Sequence, residues 1–261
     1  MDRGLRGWQM TEGVGRYDQS VAFLRNLDAD WARLIDLVGP CLHDPKAARE
    51  PYEALVRAIA YQQLTAKAGD AIIARLKALF TGAAFPTPAN LVEANFEALR
   101  GCGFSATKIA TIKAIAESSL SGLIPSRAEA LSMDDEALIA RIATIKGIGR
   151  WTVEMLLMYS LERMDVLPVD DFGVREGYRA LKSLSVPLRP KELHEIGKEW
   201  APHRTVASWY LWRTPRERPV PLKAVAQAAK PKRQSRGEDE KKRAQKPFAN
   251  KKAKARAVRK Q

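Results

Sequence analysis

Three stretches concentrate the side chains able to do chemistry: IKGIGRWTVEM over 145–155, LPVDDFGVREGYRAL over 167–181 and RTVASWYLW over 204–212. The second holds an aspartate pair, Asp170 and Asp171, at the start of a helical run and behind a turn that Pro168 enforces. A carboxylate placed there either caps the helix by accepting its free N–H groups or serves as a base and stabilises developing positive charge. The same three stretches also carry large soft side chains, Trp151, Met155, Phe172 and Trp212 among them. Their alternatives are core packing and contact with a ligand, because aromatic faces attract a cation by about 0.5–2 kcal/mol.

Metal and thiol chemistry have little to draw on. Two cysteines, Cys41 and Cys102, are too few for a four-thiolate cluster or a cysteine-based zinc site, and His43, His194 and His203 show no paired ligand spacing. All five read as structural residues, and the cysteine count argues against a secreted disulfide scaffold.

In the first stretch a helix ending near Ile145 meets Lys146-Gly147-Ile148-Gly149, and a new helix starts at Arg150–Trp151. Glycine permits backbone turns and close approaches that a Cβ blocks. The first N–H groups of the new helix have no intrahelical partner, so with the helix dipole they suit a phosphate. Ile148 anchors the turn, and Lys146 and Arg150 add positive charge beside it. Such a contact reads a nucleic-acid backbone and not its sequence. Taken alone, the pattern is also that of a tight turn between helices.

The elements that must position these residues are helical. Apolar residues recur at three- and four-residue steps over 20–39, 51–64, 65–80, 105–120, 132–145, 151–162, 170–184, 189–202 and 204–214, with shorter runs at 87–94 and 95–103. Pro51 suits a first helical turn, Thr65, Thr87 and Ser105 are placed to cap, and the run 132–145 starts with serine and aspartates able to do the same. Strand and hairpin signals are scarce. The expectation is an all-α, compact, two-lobed domain of about ten helices spanning 18–215, with an N-terminal extension over 1–17.

The charge is uneven. The chain of 261 residues carries a formal +14, but residues 221–261 hold 15 Lys/Arg against 3 Asp/Glu, leaving a net of only +2 for the rest. Residues 216–261 are rich in Lys, Arg, Ala and Pro, with almost no large apolar side chain, and read as disordered. A basic tail implies a polyanionic partner. No apolar signal region opens the chain and no apolar run is long enough for a bilayer, so the expected location is cytoplasmic, nucleoid-associated and without membrane contact.

The order helix, GIG, helix, PVDD, helix resembles the helix-hairpin-helix (HhH-GPD) base-excision DNA glycosylases. The chain looks most like the AlkA-type DNA-3-methyladenine glycosylase II family. The resemblance is carried by AIAYQQLTAKAGDAI (58–72), IKGIGRWTVEM and LPVDDFGVREGYRAL with RTVASWYLW, and covers roughly 20–214. It implies that an alkylated base, 3-methyladenine in type, is flipped out of duplex DNA and its N-glycosidic bond hydrolysed. Members that also nick the strand carry a lysine where this chain has Trp151, so the resemblance implies a monofunctional enzyme without AP-lyase activity. The iron–sulfur branch is excluded with its cysteines.

By position, the resemblance assigns catalysis to Asp171, leaving Asp170 as a supporting turn carboxylate or N-cap. A count anchored on the nicking enzymes favours Asp170 instead. Trp151, Met155, Phe172 and Trp212 fall at base-pocket positions, although Met155 and Phe172 depart from the usual aromatic and tyrosine. Gln63, with Gln62 and Leu64 beside it, falls at the wedge that fills the vacated base stack. Lys146, Gly147, Ile148, Gly149 and Arg150 form the backbone-binding hairpin. The carbonyls of Ala143, Ile145 and Ile148 would hold a structural Na, K, Mg or Ca ion. No cofactor for the chemistry is implied. The larger AlkA enzymes begin with a mixed α/β domain, and the helical pattern here starts by residue 18, so the compact version is expected. The expected partners are duplex DNA with alkylated bases and a downstream abasic-site endonuclease, and the protein is expected to be a monomer. Competing readings are a noncatalytic helix-hairpin-helix DNA-binding module and a glycosylase for other damaged or mispaired bases.

Overall fold

The computed structural model describes residues 15–215. The basic tail over 216–261 and most of the N-terminal extension therefore lie outside the described residues. Among the described residues there are thirteen α-helices, one 3-10 turn and no strand. The helices are α1 (Asp18–Arg25), α2 (Ala29–Val38), α3 (Pro51–Tyr61), α4 (Ala66–Leu79), α5 (Pro88–Glu93), α6 (Phe96–Gly101) and α7 (Ala106–Leu120). They continue with α8 (Arg127–Ser132), α9 (Asp135–Ile142), α10 (Arg150–Tyr159), α11 (Phe172–Leu181), α12 (Pro190–Gly197) and α13 (Arg204–Leu211). The all-α expectation holds, and the count of about ten was short.

The shortfall has a local cause. The run 20–39, one helix by its periodicity, breaks at Asn26-Leu27, where Asp28 turns its carboxylate onto the N–H groups of Asp30 and Trp31 and opens α2. Asp134 does the same for Glu136, which separates α9 from the short α8 that the sequence reading did not resolve. Thr65, Thr87, Asn95, Ser105 and Ser126 cap their helices through side-chain oxygens. Each such bond satisfies a helix donor that has no intrahelical partner and is worth about 1 kcal/mol.

The helices bury two apolar cores. Residues from Tyr52 to Val166 form one, around Leu55, Ile59, Leu76, Leu99, Phe104, Ile112, Leu138 and Leu156. The second joins the two ends of the described chain: Tyr17, Leu24 and Trp31 from the start, and Val174, Tyr178, Trp200, Val206 and Tyr210 from the end. Tyr17, read as the last residue of an extension, is thus a core residue. Trp31 meets Trp200 edge to face at 5.4 Å, an arrangement that adds about 0.5–1.5 kcal/mol to the area buried.

Two features of this packing position the site. Gly177 lets α11 lie directly on α13, since a Cβ there would come within 2.0 Å of the Leu211 carbonyl oxygen. Trp212, the C-cap of α13, then reaches past the second core and packs against both clusters.

Candidate active site

Asp171 is the N-cap of α11. Its backbone N–H donates to the Pro168 carbonyl at 3.0 Å, closing the turn that Pro168 introduces. Its Oδ1 accepts the Val174 N–H at 2.7 Å and the Trp212 indole N–H at 2.9 Å. Its Oδ2 accepts the Trp151 indole N–H at 2.8 Å. Two tryptophans from different helices therefore hold one carboxylate, and with the backbone bond they occupy three of its roughly four acceptor sites.

Asp170, expected as a supporting turn carboxylate or N-cap, is not the cap. It is exposed and lines a different cavity. The cap is Asp171 because the turn from Pro168 ends on it, which puts its side chain at the head of α11.

Trp151 opens onto a cavity of about 630 Å³ together with Met155, Tyr159, Ala58, Tyr61, Gln62 and Gln63. Trp151, Met155 and Tyr159 are spaced four residues apart on α10, so one helix face supplies the apolar wall. Tyr159 was missed in the sequence, although this i, i+4, i+8 spacing was the signal that marks it. Its ring stacks on Trp212 at 6.4 Å and 28°, and His43 packs against it at 4.8 Å. Burial pushes the Tyr159 phenol above its ordinary pKa. Trp212 therefore backs the cavity wall through Tyr159 and does not line the cavity itself.

Phe172 departs from its expected place. It is the first residue of α11, 63% exposed, and absent from the cavity lining. Its neighbour Asp171 turns inward as the cap, and the helix phase sends the next side chain outward.

At the cavity's edge α3 ends in a sharp turn. Gln62 is its C-cap, and Gln63 adopts φ +58°, a left-handed conformation uncommon for a residue with a Cβ. Gln63 and Leu64 are exposed, and Leu64 retains 43% of its surface. Lys108, which no motif in the chain marks, holds the turn by donating to the carbonyls of Ala60 at 3.1 Å and Gln62 at 2.9 Å. The three wedge candidates thus project from a braced turn beside the pocket.

The hairpin joins α9 to α10. Ile148 is buried as expected, while Lys146, Gly147 and Gly149 are exposed. Gly147 has φ +91°, and a Cβ there would meet the Thr111 hydroxyl oxygen at 2.3 Å. Gly149 is the N-cap of α10 and brings no side chain to the free N–H groups, which stay open to an anion. Arg150 differs from its expected role. Its guanidinium pairs with both oxygens of Glu136 and with Glu154 Oε1 at 3.0 Å, so its charge is already matched. Glu154 is 3% exposed, and burial pushes its carboxyl up to about 7 against the pull of Arg150.

At the expected ion position, Ile148 N–H donates to the Ile145 carbonyl at 3.0 Å, and no hydrogen bond to the Ala143 or Ile148 carbonyl is found among the described residues. Three carbonyl oxygens are a donor set suited to a hard cation. No group of three or more His, Cys, Asp or Glu able to hold a metal occurs among the described residues. Both cysteines are free, with thiols pushed up by burial, Cys41 to about 11. Among the described residues, no helix is long and apolar enough to cross a membrane.

A carboxylate gripped by two indoles beside an aromatic cavity, with an open helix N-terminus on the hairpin, sits in a fold found among known repair proteins. The chain is 48% identical over 196 residues to DNA-3-methyladenine glycosylase 1 of Schizosaccharomyces pombe, covering 73% of this chain and 84% of the relative. It is 35% identical over 201 residues to the alkylbase DNA glycosidase-like protein mag2 of the same organism, covering 77% and 94%. The solved S. pombe 3-methyladenine DNA glycosylase in complex with abasic DNA superposes with a TM-score of 0.69 at 46% identity, covering 75% of this chain and 95% of that one. The DNA-3-methyladenine glycosidase of Bacillus halodurans gives 0.64 at 36%, covering 74% and 88%. Residues 56–203 match the family described as HhH-GPD superfamily base excision DNA repair protein. With fold, hairpin and relatives in agreement, the chain belongs to the HhH-GPD superfamily.

Proposed function

We propose that this protein is a monofunctional DNA glycosylase that removes 3-methyladenine-type alkylated bases from duplex DNA and leaves an abasic site. The observation that carries the reading is Asp171, fixed by the Trp151 and Trp212 indoles next to a cavity walled by Trp151, Met155 and Tyr159. Binding at the hairpin is through the DNA backbone, and the target nucleotide leaves the stack to enter the cavity. Gln63, with Gln62 and Leu64, occupies the space it vacates.

In the cavity an N-alkylated purine carries positive charge on the ring, which the aromatic faces favour. As the bond from C1′ to the base nitrogen breaks, its electron pair leaves with the base, and that pair neutralises the base's charge. No acid is then needed to protonate the leaving group. The sugar gains oxocarbenium character, as in glycoside hydrolysis. The Asp171 carboxylate stabilises it and orients a water, whose oxygen bonds to C1′ and whose proton passes to the carboxylate or solvent.

Strand nicking would require an amine at C1′. Position 151 is tryptophan, and the lysine that does line the cavity, Lys46, pairs with Asp44. A structural Na, K, Mg or Ca ion on the Ala143, Ile145 and Ile148 carbonyls would neutralise a DNA phosphate and take no part in bond cleavage. The protein acts as a monomer and hands its product to an abasic-site endonuclease.

The test is to incubate the protein with methylated duplex DNA, identify the released bases and add borohydride to trap any Schiff base. Release of 3-methyladenine with no trapped protein–DNA adduct is expected. A trapped adduct overturns the monofunctional assignment. Binding with no release favours a noncatalytic module.

A further inference from the structure

The aromatic cavity has a charged rim that the proposed chemistry does not use. The segment before α3 forms this rim and is pinned to the end of α10 at two points. The His43 ring lies 3.2 Å from the Met158 carbonyl, and the Lys46 backbone N–H donates to the Tyr159 carbonyl at 2.6 Å. A turn follows, closed by the Arg49 N–H to the Lys46 carbonyl at 3.0 Å. It delivers the Arg49 side chain to the cavity that Trp151, Met155 and Tyr159 also line.

Three cations border this space: Lys46, Arg49 and Arg57. Two have close anionic partners. Lys46 pairs with Asp44, and Arg57 bonds Glu53 Oε1 at 2.7 Å. Among the described residues, the anionic oxygen near Arg49 is that same Glu53 Oε1, at 3.9 Å, beyond hydrogen-bond reach. Its side chain is about two-thirds buried, at 35% exposure. Burial, and after it the repulsion of Arg57, lower its pKa, as expected of a cation short of a counter-charge. A guanidinium presents a planar fork of donors matched to carboxylate and phosphate. The rim therefore holds an arginine whose side chain makes no hydrogen bond among the described residues.

The cavity, at about 630 Å³, falls in the range that takes a whole drug-sized ligand and so has room for more than one heterocycle. A cationic base alone would add to the positive charge of the rim, whereas a phosphodiester entering with it would cancel that charge. We infer that Arg49 grips a phosphodiester flanking the extruded nucleotide and so holds the sugar in the cavity. This rests on the reading of the cavity as the seat of that nucleotide. Arg49 is a positioning residue, acting on the DNA backbone and not on the bond that breaks.

The experiment is a binding cycle that needs no chemistry. Duplexes carry one tetrahydrofuran abasic analogue, with a natural phosphate or a neutral methylphosphonate on its 5′ or 3′ side. Wild type, Arg49→Met and Arg49→Lys are compared, with thermal melts to confirm folding. Arg49→Met is expected to weaken binding about tenfold or more, since charge-assisted bonds to phosphate are strong. Methylphosphonate at one of the two sides should weaken wild type about equally and leave Arg49→Met unchanged. Arg49→Lys should recover part of the loss. Losses that multiply at both sides, or unchanged binding by a folded Arg49→Met, overturn the inference. If Arg49→Met instead changes which bases wild-type-like enzyme releases, without coupling to the methylphosphonate, the arginine contacts the base and the inference fails. Failure of base release with the coupling intact would fall on the proposed reaction and not on Arg49.

Discussion

Replacing Trp212 with phenylalanine removes the indole N–H together with one of the two fused rings that pack against both cores. The aromatic ring that stacks on Tyr159 at 6.4 Å is retained, while the indole N–H that meets Asp171 Oδ1 at 2.9 Å is lost. Hydrogen bonds to a charged group contribute about 1.5–3 kcal/mol. Asp171 is half-buried, so water replaces part of the lost bond, and Oδ1 still accepts the Val174 N–H at 2.7 Å. The lower end of the range therefore applies. If the bond serves to aim the carboxylate, the loss appears in the transition state, and about 1.4 kcal/mol is a tenfold fall in rate. The assay is single-turnover release of the base at saturating enzyme, beside a thermal melt. We expect about a tenfold fall in rate, with about 1.5–3 kcal/mol lost in stability from the missing bond and the vacated ring volume. Trp151→Phe, which takes the 2.8 Å bond from Oδ2, should cost at least as much in rate, because its ring also lines the cavity. A folded Trp212→Phe that releases base within twofold of wild type would refute the idea that the indole cradle orients the catalytic carboxylate.

Gly147→Ala places a Cβ at φ +91° and 2.3 Å from the Thr111 hydroxyl oxygen; it should cost about 2 kcal/mol in stability and weaken duplex binding, and a wild-type melt and affinity would show that the turn needs no glycine. Glu154 holds its proton in the fold up to about 7 instead of 4.5. The folded state therefore binds more protons between those values, and stability falls as pH rises across that window, by about 3 kcal/mol at about 1.4 kcal/mol per unit. Glu154→Gln should remove this fall, and a stability difference between variant and wild type that stays flat from pH 5 to 8 would count against it. Deleting residues 216–261, whose last 41 positions hold 15 Lys/Arg, should flatten the salt dependence of duplex binding while leaving excision at saturating enzyme intact; an unchanged salt slope would remove the tail from DNA contact.

Much of this site was legible because helices advertise their faces. The GIG turn and the buried Ile148 between its glycines followed residues visible in the chain, whereas Trp151 and Trp212 were brought to the site by resemblance, as contacts of the base and not as the donors that hold Asp171. Less visible were details that depend on side-chain phase at a helix start. Asp170, Asp171 and Phe172 are consecutive, and one step in register decides which caps, which lines a cavity and which faces solvent. Tyr159 was within reach, two four-residue steps from Trp151. The rim segment around Arg49 was not, because a loop has no period and its placement comes from bonds to the far end of α10. Arg150 shows the converse: its charge was plain, but the carboxylates of Glu136 and Glu154 that absorb it come from two helices.

The central claim is that Asp171 carries the chemistry. Asparagine still caps a helix well, so Asp171→Asn should keep the fold while removing the charge. Incubated with methylated duplex DNA, wild type should release 3-methyladenine and Asp171→Asn should release almost none, while Asp170→Asn stays close to wild type. Release surviving in Asp171→Asn and lost in Asp170→Asn would contradict the account.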